Sequence, residues 1–318
     1  MDEIQGLQKV LDQLYTSMLA QSGQLIGVGQ AIAGFAALWY IGVRVWKNIA
    51  NAEPVDVFPL LRPLAIGGAV MLYSYIPWLI DGVMSPTAEG TAKIKTQATS
   101  AIATLLQQKQ DALKNTLPYQ MYVGQSGNGD EALWEKYSGD ASSSGFLSGV
   151  SNAFQFAMAK AFYNFKNAIR QWLSEVLEIL FEAASLCINT MRTFNLVVMA
   201  ILGPLALGIS VFDGFKQTLH NWLSRYINVY LWLPVSNILG AIMANIQVKM
   251  LQQDLKQIQT NGATYFNTTD AGYLIFLIIG IVGYFTVPSI ASYIVSVGGN
   301  DPLTIKMSRV IKKAFGIA

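Results

Sequence analysis

The sequence predicts an all-α, polytopic membrane protein: about five transmembrane helices, amphipathic surface helices and one long polar-striped helix. Three observations carry that reading. The chain of 318 residues is 53% hydrophobic and only 13% charged, where soluble domains carry about 25% charged residues. Its mean hydropathy is +0.38. Its apolar residues also lie in long uncharged blocks, at Gln13–Val43, Pro63–Ile80, Thr193–Phe212, Tyr226–Val248 and Ala271–Asn300. About 20 helical residues, rising ~1.5 Å each, cross a hydrocarbon core of about 30 Å, so each block reaches or nearly reaches a span.

The amino-terminal element, residues 1–20, is an amphipathic helix with Ile4, Leu7, Val10, Leu11, Leu14 and Met18 at helical spacing. Asp2, Glu3 and Asp12 against Lys9 make it the reverse of a basic signal region, so no cleavable signal is expected. The first span carries Gly23, Gly27, Gly34 and Gly42 with Gln21, Gln24 and Gln30. Small residues permit close helix approach and glutamines bond between helices, so this span is expected to pack in protein rather than lipid. Trp39, Tyr40 and Trp46 suit a membrane interface.

The next loop, Asn51–Pro63, holds three prolines and cannot be one helix. A second span with Gly67, Gly68 and Pro77 follows, completing a unit over residues 21–83. Residues 84–170 form the largest extramembrane region, with a polar helix at Thr87–Leu117 and a Gly-, Ser- and Asn-rich loop at Pro118–Gly149.

Helical periodicity returns near Ser151. Lys160, Asn164, Asn167, Gln171, Ser174 with Glu175, Glu178, Glu182, Ser185, Asn189 and Arg192 recur every three or four residues and share one helix face. That stripe runs about 48 Å, more than a bilayer is thick. It faces either water, as the polar side of an interfacial helix, or a central cavity or neighbouring subunit. Charges inside a membrane are costly and usually face protein or water. Glu182 and Arg192 are too far apart along the helix to pair directly, so a partner for Arg192 must come from another helix or another copy. Gly203 and Pro204 then interrupt the uncharged stretch. Either the span kinks there, or a helix ends at Leu202 and a re-entrant piece follows.

Residues 171–300 thus form the long helix and the last three spans, with Pro234 inside the fourth and Gly280, Gly283 and Pro288 in the fifth. A basic tail, 301–318, closes the chain. Lys and Arg in the short loops set the orientation. Arg44, Lys47, Arg62, Lys216, Arg225, Lys306, Arg309, Lys312 and Lys313 fall on one side, against Lys9, Lys249 and Lys256 on the other. The amino terminus is therefore expected outside and the carboxyl terminus inside.

No reactive constellation is visible. His220 is the only histidine and Cys187 the only cysteine, which excludes a multi-histidine metal site and an internal disulfide. No catalytic residue, cofactor site or metal site is expected. The Asn267 sequon matters only in a glycosylating host. Glu175, Glu178 and Glu182 could form a proton path or cation ring, though a solvated helix face is the plainer reading.

Residues 51–68 (NAEPVDVFPLLRPLAIGG), 191–252 and 273–299 closely resemble the TraJ proteins of conjugative transposons. The run from RTF through GPLALGIS is the most specific part. That family groups with the TrbL-like polytopic inner-membrane subunits of type IV secretion systems. The resemblance implies a non-enzymatic, multi-pass subunit of the bacterial inner membrane, with a periplasmic amino terminus and a cytoplasmic carboxyl terminus. It implies homo-oligomers that work with secretion ATPases, pilin and other inner-membrane components in pilus assembly and DNA transfer, with DNA contact left open. On it, Glu175, Glu178, Glu182, Asn189 and Arg192 would shape a subunit interface or conduit, and Gly203 and Pro204 a structural kink. The alternative from another class is a stand-alone channel or transporter for a small solute.

Overall fold

A computed structural model describes residues 2–54, 57–124, 127–137, 146–261 and 268–295. The basic tail with Lys306, Arg309, Lys312 and Lys313, the end of the fifth apolar block and Asn267 lie outside them. Every regular element among the described residues is helical. Among the described residues, three helices are long and apolar enough to cross a membrane, or up to five if each bent pair is one span. The chain divides into two compact units, residues 1–92, 184–238 and 283–318 in one, and 93–183 with 239–282 in the other.

In the first unit, α1 (Asp2–Leu19) leads through a 3-10 turn into α2 (Gly23–Ala50). The buried face of α2 is Gly29, Ala33, Ala36 and Tyr40, small residues at helical spacing ending in a tyrosine, with Ser22 of the preceding turn also buried. The glycines named from sequence do not make this contact. An added Cβ at Gly23, Gly27, Gly34 or Gly42 would meet nothing within 4 Å, and Gln21, Gln24 and Gln30 are exposed. The close approach is made by Gly29, where a Cβ would fall 2.6 Å from the Pro204 carbonyl oxygen, and by Gly208, where one would fall 2.7 Å from that of Gly29. Backbone meets backbone there. Trp39 and Trp46 are exposed as interfacial anchors would be, whereas Tyr40 is buried.

The proline-rich loop is a turn and a 3-10 helix before α3 (Leu61–Met71), with Pro63 in the first turn, where a missing N–H costs nothing. The second apolar block is not one straight helix. α3 and α4 (Tyr75–Lys114) meet at 81° across Leu72–Ser74. Pro77 stands in the first turn of α4 and does not break it.

α4 continues into the second unit as the expected polar helix. The region read as a loop contains two short helices, α5 (Leu117–Tyr122) and α6 (Glu131–Tyr137). Their chemistry is aromatic: Met121, Tyr122 and Phe156 are buried together, with Leu133, Trp134, Ala159 and Tyr163 packed against them. Tyr122 stacks on Tyr163 with centroids 4.9 Å apart. Gly124, Gly127 and Gly129 take positive φ between the two helices, conformations open to glycine at no steric cost.

α7 (Phe146–Ile209) is one helix of 64 residues. It neither ends at Leu202 nor turns re-entrant; it runs through Pro204. α8 (Gln217–Tyr230) and α9 (Trp232–Asn261) meet at Leu231, and α9 carries the predicted polar continuation. In the second unit, Lys109 of α4 pairs with Asp254 of α9. α10 (Thr268–Tyr284) and α11 (Val287–Ile294) are bent by 55°. Pro288 opens α11, and Thr286 caps the bend by donating to the Gly283 carbonyl at 2.7 Å.

Candidate functional site

The polar stripe on α7 divides by environment. Glu175 is exposed and accepts a hydrogen bond from the Gln171 amide at 2.9 Å. Glu178 and Glu182 are half-buried. Glu182 and Glu175 both repel Glu178, while Lys95 of α4 attracts Glu182. These groups belong to the second unit.

The last two stripe residues lie in the first unit, in its interior. Asn189 and Arg192 are buried, as are Ser185 and Thr193 beside them. No donor among the described residues reaches the Asn189 Oδ1, and Ser185 Oγ is likewise unpartnered. An uncompensated buried polar atom costs about 1–3 kcal/mol, so this face of α7 is a polar strip enclosed by protein rather than a solvated one.

Arg192 finds its partner on another helix of the same chain. Its Nε donates to the Tyr230 carbonyl oxygen at 3.4 Å, and its guanidinium lies 5.0 Å from the Tyr230 ring centre. The reason that carbonyl is free lies four residues on. Position 234 is proline, which has no N–H to return to Tyr230 within a helix. Arg192 supplies the missing donor, and the C-terminal end of α8 favours a cation. Tyr230 in turn donates its hydroxyl to Asp81 Oδ1 at 2.9 Å. Asp12 of α1 and Asp81 of α4 both attract Arg192 electrostatically, Asp12 from an exposed position and Asp81 from a half-buried one.

The same logic recurs at Pro204. That residue leaves the Ala200 carbonyl without its helical donor. The Tyr73 hydroxyl, from the bend between α3 and α4, donates to it at 2.6 Å. Gly203 makes the approach possible, because a Cβ there would collide with the Tyr73 hydroxyl and ring. One residue earlier, the Met199 carbonyl accepts from the Trp222 indole at 3.0 Å. Tyr73, Trp222 and Tyr226 are in tilted ring contact, and Tyr226 and Tyr15 share a hydrogen bond of 2.6 Å. Arg62 donates to the Ser210 carbonyl at 3.2 Å, closing the end of α7.

Sequence reasoning found Arg192, Asn189, Gly203 and Pro204, and the structure brings all four into the first unit. It places Glu175, Glu178 and Glu182 in the other. It missed Tyr73, Asp81, Trp222 and Tyr230. Asp81 is the one with a legible signal, a carboxylate at the edge of an apolar block.

A chain whose described residues are all-helical, with three to five candidate spans, buried charge and prolines sealed by side chains, is built as a polytopic membrane protein is built. The family is specific: the chain belongs to the homologues of TraJ from Bacteroides conjugative transposon, whose profile matches residues 2–318. That membership points to a role in conjugative transfer. No curated relative matches the chain.

Proposed function

We propose that the protein is a non-enzymatic, inner-membrane subunit of a type IV secretion apparatus, allied to the TrbL-like subunits. In this reading it is a homo-oligomeric scaffold or conduit that supports pilus assembly and DNA transfer. Its amino terminus is periplasmic and its carboxyl terminus cytoplasmic, a reading supported by the Lys and Arg count. Secretion ATPases, pilin and other inner-membrane components are its partners. The observation that carries the reading is the family match over residues 2–318, supported by the candidate spans.

Glu175, Glu178 and Glu182 are the stripe residues available to a subunit interface or conduit. Asn189 and Arg192 contribute from within the chain, Arg192 by fixing α7 to α8. Gly203 and Pro204 shape α7 where α2 crosses it.

The test is copurification of the tagged protein from donor cells in mild detergents, with the complex weighed and its members identified. Recovery as an oligomer with secretion ATPases and pilin is the expected result. Recovery as a partnerless monomer that moves a small solute in liposomes would replace the reading with a stand-alone transporter.

A further inference from the structure

Opposite the polar stripe, the part of α7 in the second unit presents an uncovered ridge. Phe154, Met158, Phe162, Phe165, Ile169 and Trp172 are all exposed, with Phe162 at 68%. From Met158 their spacing is four, three, four and three residues, the seven-residue repeat that keeps a seam facing a neighbouring helix. Aromatic side chains carry about 150–250 Å² each, so the ridge offers about 700 Å² of apolar surface. One side of a standard protein interface is about 800 Å².

Lipid does not account for this ridge. The candidate span containing it runs Ala153–Ile209, 57 residues, or about 86 Å of helix against a hydrocarbon core of about 30 Å. The core takes the uncharged stretch that starts at Thr193. Lys160, Lys166, Arg170 and Glu175 exclude the ridge segment from it. A patch this large left in water marks a protein interaction site.

The helix itself indicates the partner. Beside the ridge, at 100° per residue, lie Ala157, Ala161 and Ala168, all exposed. They form a shallow groove one sector away, at the same heights as the aromatic knobs. Copies of one chain in one membrane share orientation and height. The ridge of one copy therefore meets the groove of the next, a head-to-tail contact that generates rings when the rotation closes. Lys160 does not obstruct it, since its ammonium is turned to the Asn128 carbonyl at 2.6 Å.

We propose that the Phe154–Trp172 ridge of α7 packs into the Ala157–Ala168 groove of a second copy of this chain, outside the membrane. The inference rests on the membrane-subunit reading above and names the surface that reading leaves open.

The test uses full-length protein in donor-cell membranes with Cys187→Ser as background. Two differently tagged copies are co-expressed, one with Phe165→Cys and the other with Ala161→Cys or Ala168→Cys, and treated with a short thiol cross-linker. A mixed-tag dimer is expected with at least one alanine position, and at least tenfold less with Ser174→Cys, which lies on the far side of the helix. An equal yield at Ser174, cross-links only to a different polypeptide, or no mixed-tag product from a complex that still copurifies would each overturn the proposal. In parallel, Phe165→Glu with Trp172→Glu should reduce the recovered oligomer at least tenfold without loss of helical circular dichroism; an undiminished oligomer also overturns it. Failure of the secretion reading registers separately, as absence of ATPases and pilin from the untreated complex.

Discussion

If Tyr73 seals the carbonyl that Pro204 opens, the two residues must be energetically coupled, and the coupling can be measured. Tyr73→Phe removes one hydroxyl and keeps the ring against Trp222. The Ala200 carbonyl is then left buried without a donor. Leaving such a group unsatisfied costs about 1–3 kcal/mol, and inter-helix hydrogen bonds in membranes average about 0.6 kcal/mol; a cost of about 1 kcal/mol is expected for a pair this enclosed. Pro204→Ala restores the N–H that Ala200 lacks. In that background Tyr73→Phe should cost almost nothing, since the carbonyl no longer needs the hydroxyl. The assay is a double-mutant cycle on purified protein in detergent, read as unfolding free energy by denaturant titration of helical circular dichroism. A coupling of about 1 kcal/mol is the expected value. Additivity within about 0.3 kcal/mol would refute the idea that the tyrosine serves the proline.

Three further outcomes follow from the same packing. Gly29→Ala should destabilise by about 1–3 kcal/mol, because its Cβ would press on the Pro204 carbonyl, while Gly27→Ala, with open space around it, should stay within about 0.5 kcal/mol; thermal unfolding followed by size-exclusion separates them. Arg192→Met removes the donor to the Tyr230 carbonyl and the cation over its ring, a loss of about 2–3 kcal/mol, seen as reduced protein in the membrane fraction and reduced DNA transfer. Adding Pro234→Ala should recover only the carbonyl's share, about 1 kcal/mol. Trp134→Ala should loosen α5 and α6 by about 1–3 kcal/mol, less than for a fully buried aromatic because Trp134 is half-buried, read as faster proteolysis within 117–137 while the rest of the chain stays protected.

Much of the helical layout was legible, and the reasons are local. The α7 stripe announced itself through period, and the uncharged blocks through length. Pro204 and Pro234 were visible as missing donors. What repairs them was not, since Tyr73 stands 127 residues before the carbonyl it serves and no local pattern joins them. Gly29 was not among the glycines named from the sequence; only the crossing with Pro204 and Gly208 singles it out. The α5–α6 region was read as a loop because glycine, serine and asparagine dominate its composition. Its helices are six and seven residues long, too short to show a period, and depend on the contact of Tyr122 and Trp134 with α7. The bend between α3 and α4 was hidden for the opposite reason: the block carries no charge, and its prolines, Pro63 at its start and Pro77 beyond the turn, do not mark the break.

The proline seals also bear on how such chains can diverge. Tyr73, Gly203 and Pro204 form one structural unit although they are far apart in the gene. A descendant that exchanges Pro204 for a residue with an N–H frees Tyr73 to change, and then frees Gly203 to acquire a side chain; the reverse order strands a carbonyl. Substitutions at the three positions should therefore appear together among related chains. A hybrid gene whose crossover falls between codons 73 and 203 would join halves that each look sound and fail at a single unserved oxygen.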